Sequence, residues 1–254
     1  MGKIIAVANQ KGGVGKTTSA VNIAACLGHL KKKTLLIDID PQGNATSGLG
    51  FNKKTITQSS YHLMIEETKA EEIILNTEFK KLDLIPANME LAGAEIEMVD
   101  LEDRINILKR GIVGLKEKYD FILIDCPPSL GLVTLNALTA CDTVLIPIQC
   151  EYYALEGLSQ LMATVRQVKK KYNSSLDVEG VLLTMFDGRL NLTMQVVSEV
   201  KKFFPNKVYK TVIPRNVRLS EAPSFGQPVM YYDKGSKGTK AYIDLSKEII
   251  KKNK

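Results

Sequence analysis

Lys3-Ile-Ile-Ala-Val-Ala-Asn-Gln-Lys11-Gly-Gly-Val-Gly-Lys16-Thr17-Thr18 decides the fold. An apolar strand runs into a glycine loop, and the loop opens a helix. That context makes a glycine motif a phosphate site. Gly12, Gly13 and Gly15 lack Cβ atoms, so backbone amides can close on oxygens. Val14 sits inside the loop. The helix start adds unpaired N–H groups and the positive end of its dipole. Lys16 supplies a point charge for β- and γ-phosphates. Thr17 is placed to ligate Mg²⁺, and Thr18 to donate to the α-phosphate. The ordinary loop reads G-x-x-x-x-G-K-[ST]. Here the first glycine is replaced by Gln10, and Lys11 precedes the double glycine.

Outward from this loop, short apolar runs alternate with helical patterns. Strands are expected at Lys3–Ala8, Lys33–Asp38, Leu82–Pro86, Tyr119–Asp125, Thr143–Ile148, Val178–Met185 and Lys207–Ile213. Helices are expected at Thr17–Leu30, through most of Glu90–Lys118, and at Leu130–Ala140, Leu155–Lys171, Gln195–Phe204 and Lys240–Lys252. Gly43–Gln58, rich in Gly, Ser, Thr and Asn, reads as loop. Alternating strand and helix predicts an α/β P-loop NTPase fold, a mostly parallel twisted sheet with helices on both faces. One domain over residues 1–254 is expected, with its ligand at the carboxyl edge of the sheet.

Two predicted strands end in aspartate. Leu-Leu-Ile-Asp38-Ile-Asp40-Pro-Gln-Gly ends the second, and Phe-Ile-Leu-Ile-Asp125-Cys-Pro-Pro ends the fourth. Phosphoryl transfer needs a metal and a positioned water rather than a covalent nucleophile. Asp125 in the Walker B position is expected to hold Mg²⁺ through water, with Asp38 supporting that shell. Asp40, beside Pro41 and a Gly/Asn stretch, is expected to orient the attacking water. Lys16 and Asp40 are thus catalytic candidates.

Composition narrows the field. The 254 residues are 44% hydrophobic and 24% charged, as in ordinary globular chains. The longest apolar runs fall short of the roughly 20 residues of a membrane helix. The N-terminus lacks a signal peptide's apolar stretch and cleavage site, which suggests the cytoplasm. The net charge of +6 is compatible with a polyanion partner. Cys26, Cys126, Cys141 and Cys150 show no C-x-x-C pair and read as small buried hydrophobes.

The strings NQKGGVGKTT, DIDPQGNATSGLG, IDCPPSLG, CEYYALEG and IPRNVRLSEAPSFGQP run in order from residue 9 to 228. Together they resemble the ParA/Soj partition ATPases, especially the short chromosomal form without an N-terminal helix-turn-helix extension. K-G-G-x-G-K-[ST] is similar to that family's deviant Walker A motif. The resemblance implies ATP and Mg²⁺ as cofactors and a sandwich homodimer in which Lys11 reaches the partner subunit's nucleotide. Gly12 would stay small where the two chains meet. Pro214, Arg215 and Asn216 would frame the adenine. The dimer would bind double-stranded DNA without sequence preference, through Arg189 and Arg218 on a face away from the nucleotide. Lys201, Lys202 and Lys210 would add to that patch. A ParB/Spo0J-type centromere-binding protein would stimulate slow hydrolysis and release, giving a nucleoid-associated switch for chromosome or plasmid segregation, with possible control of replication initiation. Two rivals share the loop: a MinD-like membrane-cycling ATPase and a metabolic or redox P-loop enzyme.

Overall fold

Lys3–Val7 (β1), Thr34–Asp38 (β2), Leu75–Asn76 (β3), Leu82–Ile85 (β4), Phe121–Asp125 (β5), Thr143–Gln149 (β6) and Asp177–Thr184 (β7) form one sheet. Their order is β3-β4-β2-β5-β1-β6-β7. Every pairing is parallel except the edge pair β3–β4. The computed structural model describes residues 2–151 and 154–253. Tyr152 and Tyr153, inside the Cys150–Gly157 string, lie outside the described residues, as do Met1 and Lys254.

Alternate residues of the central strands enter two cores. Ile4, Ala6, Ile37, Ile122 and Ile124 face one side, covered by helices that include Leu132–Ala140, Ala154–Lys171 and Asn191–Phe203. Ile5, Val7, Leu36 and Leu123 face the other, against Lys16–His29 and Lys237–Lys252. Burial on both faces is why these strands carry so few polar residues. The predicted single α/β domain, with helices on both faces, is what forms. All four cysteines are buried free thiols.

Register builds the site. Val7 pairs with Asp125, and Asp38 pairs with Asp125 on the other side. The phosphate loop and both strand-end carboxylates therefore leave the sheet side by side, at strand spacings of about 5 Å.

Three expectations are corrected. Glu90–Lys118 is broken into Leu91–Glu97, a 3₁₀ turn at Met98–Asp100, Ile107–Ile112, and a second 3₁₀ turn at Val113–Glu117. Asp103 takes a left-handed φ of 52° between the pieces. Lys207–Ile213 is no continuous strand. It touches β7 through single bridges at Val208 and, just beyond its end, Pro214. Between them the Lys210 and Thr211 amides donate to Glu248, at 2.9 and 3.2 Å, which draws the segment away from β7. Gly43–Gln58 is not all loop, since Asn44–Gly48 forms a short helix.

Candidate nucleotide-binding site

The phosphate loop is tied to the sheet at both ends. Asn9 donates to the Pro147 carbonyl at 2.7 Å and accepts the Lys11 amide at 3.0 Å. Thr184 Oγ1 donates to the Val14 carbonyl at 2.8 Å. Gly13 and Gly15 hold φ of 73° and 84°, which side chains disfavour. Gly12 is different. A Cβ there would meet no atom within 4 Å, and its φ is not left-handed. Nothing inside the described chain requires that glycine.

Lys16 is buried, and its ammonium donates to the Lys11 carbonyl at 3.1 Å, closing the loop on itself. Burial lowers its pKa, while Asp125, Cys126 and Asp40 oppose the shift. Lys11 lies half-exposed, its ammonium 3.4 Å from Glu151.

The three aspartates differ in what their oxygens do. Asp38 is fully buried and saturated: Oδ2 accepts the Thr46 amide and hydroxyl, both at 2.8 Å, and Oδ1 accepts the Asp40 amide at 3.1 Å. Thr46 in turn accepts the Ala87 amide at 2.9 Å. Asp38, expected to support the metal shell, holds the Asp40 turn and the Asn44–Gly48 helix through these bonds. Asp125 is the opposite case. It is fully buried, and neither oxygen has a hydrogen-bond partner among the described residues. Burial, then the Asp38 charge, pushes its carboxyl well above the ordinary range, while the nearby Thr17 hydroxyl and Lys16 pull it down. A buried carboxylate with free oxygens beside a hydroxyl and a phosphate loop is a donor set that suits a hard divalent cation. Asp40 is 8% exposed. Its Oδ1 accepts the Gln42 amide at 2.9 Å, leaving Oδ2 for another partner.

The Asp38 carboxyl is pushed up to about 6, chiefly by burial. A carboxyl pKa raised on folding gives stability below its ordinary value of about 4, lost as pH rises through about 6. Without metal or nucleotide, melting temperature should fall between pH 5 and pH 7. For Asp38 alone that is at most ~3 kcal/mol. Added Mg²⁺ should stabilise more at pH 7 than at pH 5, because protons and cation compete for Asp125. Thermal melts with EDTA or Mg²⁺ check both signs. Stability that rises from pH 5 to 7 in EDTA would sink this reading.

Beside the loop opens a cleft of about 480 Å³. Gly15 and Thr18 form one wall, and Pro214, Arg215 and Asn216 another, with Met185, Ile213 and Leu219 as apolar lining. Asn216 Oδ1 caps the helix Val217–Glu221 by accepting the Arg218 amide at 2.9 Å, so only its amide N–H₂ is left for a base. A cleft of about 560 Å³ at the opposite, amino edge holds none of the predicted site residues.

Arg189 is exposed and forks onto Asp187, with Nε at 2.9 Å and a terminal nitrogen at 2.6 Å. Arg218 pairs with Glu221 at 2.8 Å and Asp233 at 3.2 Å. Both follow the carboxyl side of β7, and Asp187 feels the charge of Arg215. Arg218 sits on the helix that borders the cleft. Lys202 pairs with Glu199 at 2.6 Å.

Sequence reasoning missed Asn9, Thr46, Glu151 and Thr184 as positioning residues. Asn9, Thr46 and Glu151 lie inside strings it singled out, but Asn9 and Glu151 find partners far along the chain, and Thr46 reaches Asp38 across a stretch that reads as loop.

Comparison with known proteins follows from this geometry. A family model described as an AAA domain matches residues 2–178. The sporulation initiation inhibitor protein Soj of Bacillus subtilis is 60% identical, covering 98% of both chains. The chromosome partitioning protein ParA of Myxococcus xanthus is 51% identical over all of this chain and 89% of its own. Among solved structures, the cobyrinic acid a,c-diamide synthase of Mycobacterium smegmatis with bound ATP analogue and magnesium superposes with a TM-score of 0.90. It is 33% identical, covering 100% of this chain and 96% of that one.

Proposed function

The chain belongs to the Soj/ParA family of chromosome-partitioning ATPases, and on that premise we propose that ATP joins two copies of it into a DNA-binding dimer that hydrolysis takes apart. It is an ATPase, and its cofactors are ATP and Mg²⁺. The observation that carries the dimer is Gly12. It is exposed, lacks a left-handed φ, and has open space where its Cβ would be. Nothing inside the described chain requires that smallness, which supports a neighbour outside it. Lys11, beside it, points to Glu151 and is free to exchange that exposed pair for a partner's phosphate.

In this reading the loop amides and Lys16 hold the phosphates, and the 480 Å³ cleft takes the base between the loop and Pro214–Asn216. The cation supplies charge neutralisation at the phosphates, with Asp125 and Thr17 as its protein side. Asp40 Oδ2 orients the water that attacks the γ-phosphorus as the bond to ADP breaks. Lys11 of the partner subunit stabilises the charge that develops. The dimer binds DNA without sequence preference and acts on the nucleoid, and a ParB/Spo0J-type protein accelerates its hydrolysis.

The membrane rival needs a free amphipathic anchor, and the last helix does not offer its apolar side. No helix of the described residues is long and apolar enough to cross a membrane. The apolar side of Lys237–Lys252 is already occupied, with Tyr242, Leu245 and Ile249 in the core. Against the metabolic rival, identity to the partition proteins is much higher than to the synthase.

The decisive experiment is DNA binding and ATP turnover, each measured with and without the ParB-type protein. Binding that ignores ATP would refute the switch. Arg189→Glu should still dimerise with ATP yet lose DNA. Exposed pairs such as Arg189–Asp187 are weak and salt-screened, so phosphate can replace Asp187. Wild-type affinity should fall by about 0.9 log units per tenfold salt for each phosphate contact. Unchanged gel shifts at low salt would remove Arg189 from the interface.

A further inference from the structure

Met89, Ala92, Ile96 and Val99 follow one another at steps of three and four residues. That spacing puts Ala92, Ile96 and Val99 on one side of Leu91–Glu97 and its 3₁₀ extension Met98–Asp100, with Met89 in the turn just before them. All four are exposed: Ile96 by 77%, Met89 by 61% and Val99 by 50%. Leu91, Ala94 and Met98 on the inner side fill the core. Scattered exposed hydrophobics need no explanation, but a periodic row on a helix already buried on its other side does.

A second row runs beside the first. Glu90, Glu97 and Asp100, two turns and then one turn apart, share a neighbouring stripe. From Glu90 to Asp103 the sequence holds six carboxylates and no Lys or Arg, in a chain of net charge +6. Among the described residues only Asp103 of these six has an ion pair, with Arg110 at 2.7 Å. The patch is therefore unlike the rest of the molecule. It repels nucleic acid and anionic lipid. A second copy laid row on row would oppose its own carboxylates.

The patch also abuts the hydrolytic machinery. Ala87, two residues before Met89, donates its amide to Thr46, which grips Asp38. The Ala87 carbonyl would lie 2.8 Å from a Cβ on Gly43, inside the Asp40 turn. At the far end the Glu95 carboxylate occupies the place of a Cβ on Gly131, in the loop after Asp125.

We propose that this face docks a cationic amphipathic segment of a protein partner. Apolar side chains of that segment lie on the Met89–Val99 row, and its Lys or Arg residues on the Glu90–Asp100 row. The inference rests on partner-stimulated hydrolysis and gives that stimulus an address, since pressure on Ala87 reaches the Asp40 turn through Thr46.

Two double variants of the full chain test it, I96S/V99S and D100K/E102K. None of the four side chains contributes to the phosphate site. Stimulation by the purified ParB-type protein, and its binding by anisotropy, should weaken at least tenfold in both. Unstimulated turnover and ATP-dependent DNA binding should stay at wild-type level. Wild-type stimulation in both variants overturns the face while leaving the partner intact. Loss of ATP-dependent dimerisation in analytical ultracentrifugation assigns the face to a second copy and also overturns it. If the ParB-type protein fails to stimulate even the wild type, the partner reading fails, and a synthetic Lys/Leu amphipathic helix decides the face. Tenfold weaker binding of that peptide to D100K/E102K supports the docking surface. Equal binding, or none to wild type, overturns it.

Discussion

Lys16→Ala is expected to abolish ATP binding at working concentrations. The ammonium is buried at the mouth of the loop, held by the Lys11 carbonyl at 3.1 Å, and faces both Asp40 and Asp125. Truncating one member of a buried, hydrogen-bonded charge pair costs about 2–5 kcal/mol, roughly thirtyfold to several thousandfold in affinity. The substitution also leaves Asp40 and Asp125 facing the phosphates with less opposing charge. Titration with a fluorescent ATP analogue measures the loss, and a melting curve verifies that the variant is folded. An affinity within threefold of wild type would contradict the phosphate role. Dimerisation and DNA binding should disappear with the nucleotide.

Asp40→Ala should separate binding from turnover. Asp40 lies on the turn after β2, and its Oδ1 is engaged by the Gln42 amide. Its Oδ2, with no bond among the described residues, is the oxygen best placed to serve the water. Loss of a positioned acid–base group costs about a hundredfold to ten-thousandfold in rate, while ATP affinity should stay within a few fold. The ATP-bound dimer should then accumulate on DNA and ignore the ParB-type protein. Asp40→Asn keeps the shape and should hydrolyse almost as slowly as the Ala variant. Normal single-turnover hydrolysis in Asp40→Ala would move the role elsewhere.

The parts legible in the sequence are those written in local chemistry. Glycines at 13 and 15 announce left-handed backbone, and apolar runs ending in Asp announce buried strands that open onto a site. Pro214–Asn216 and the loop line one cleft. What escaped depends on distant partners. Asp38 and Asp125 look alike in sequence, yet Thr46 holds one by two hydrogen bonds, while among the described residues only the nearby Thr17 hydroxyl attends the other. Thr46 lies in a stretch whose composition reads as loop, and a five-residue helix is too short to show a period. Lys207–Ile213 has a strand's pattern, but Glu248 captures two of its amides. The outer row on Leu91–Glu97 hid because its apolar residues merge with the inner row into one helical pattern.

The register of β1, β2 and β5 has a consequence for how the molecule is made. Val7, Asp38 and Asp125 become neighbours only when strands far apart in sequence have paired. The Val14 carbonyl waits longer still, for Thr184. Translation therefore delivers the phosphate loop first and its anchors last. A ribosome-bound chain shorter than about 190 residues has the motif but lacks the strand that steadies it. The loop is therefore expected to gain its steadied, nucleotide-ready form only after β7 has been made, late in synthesis.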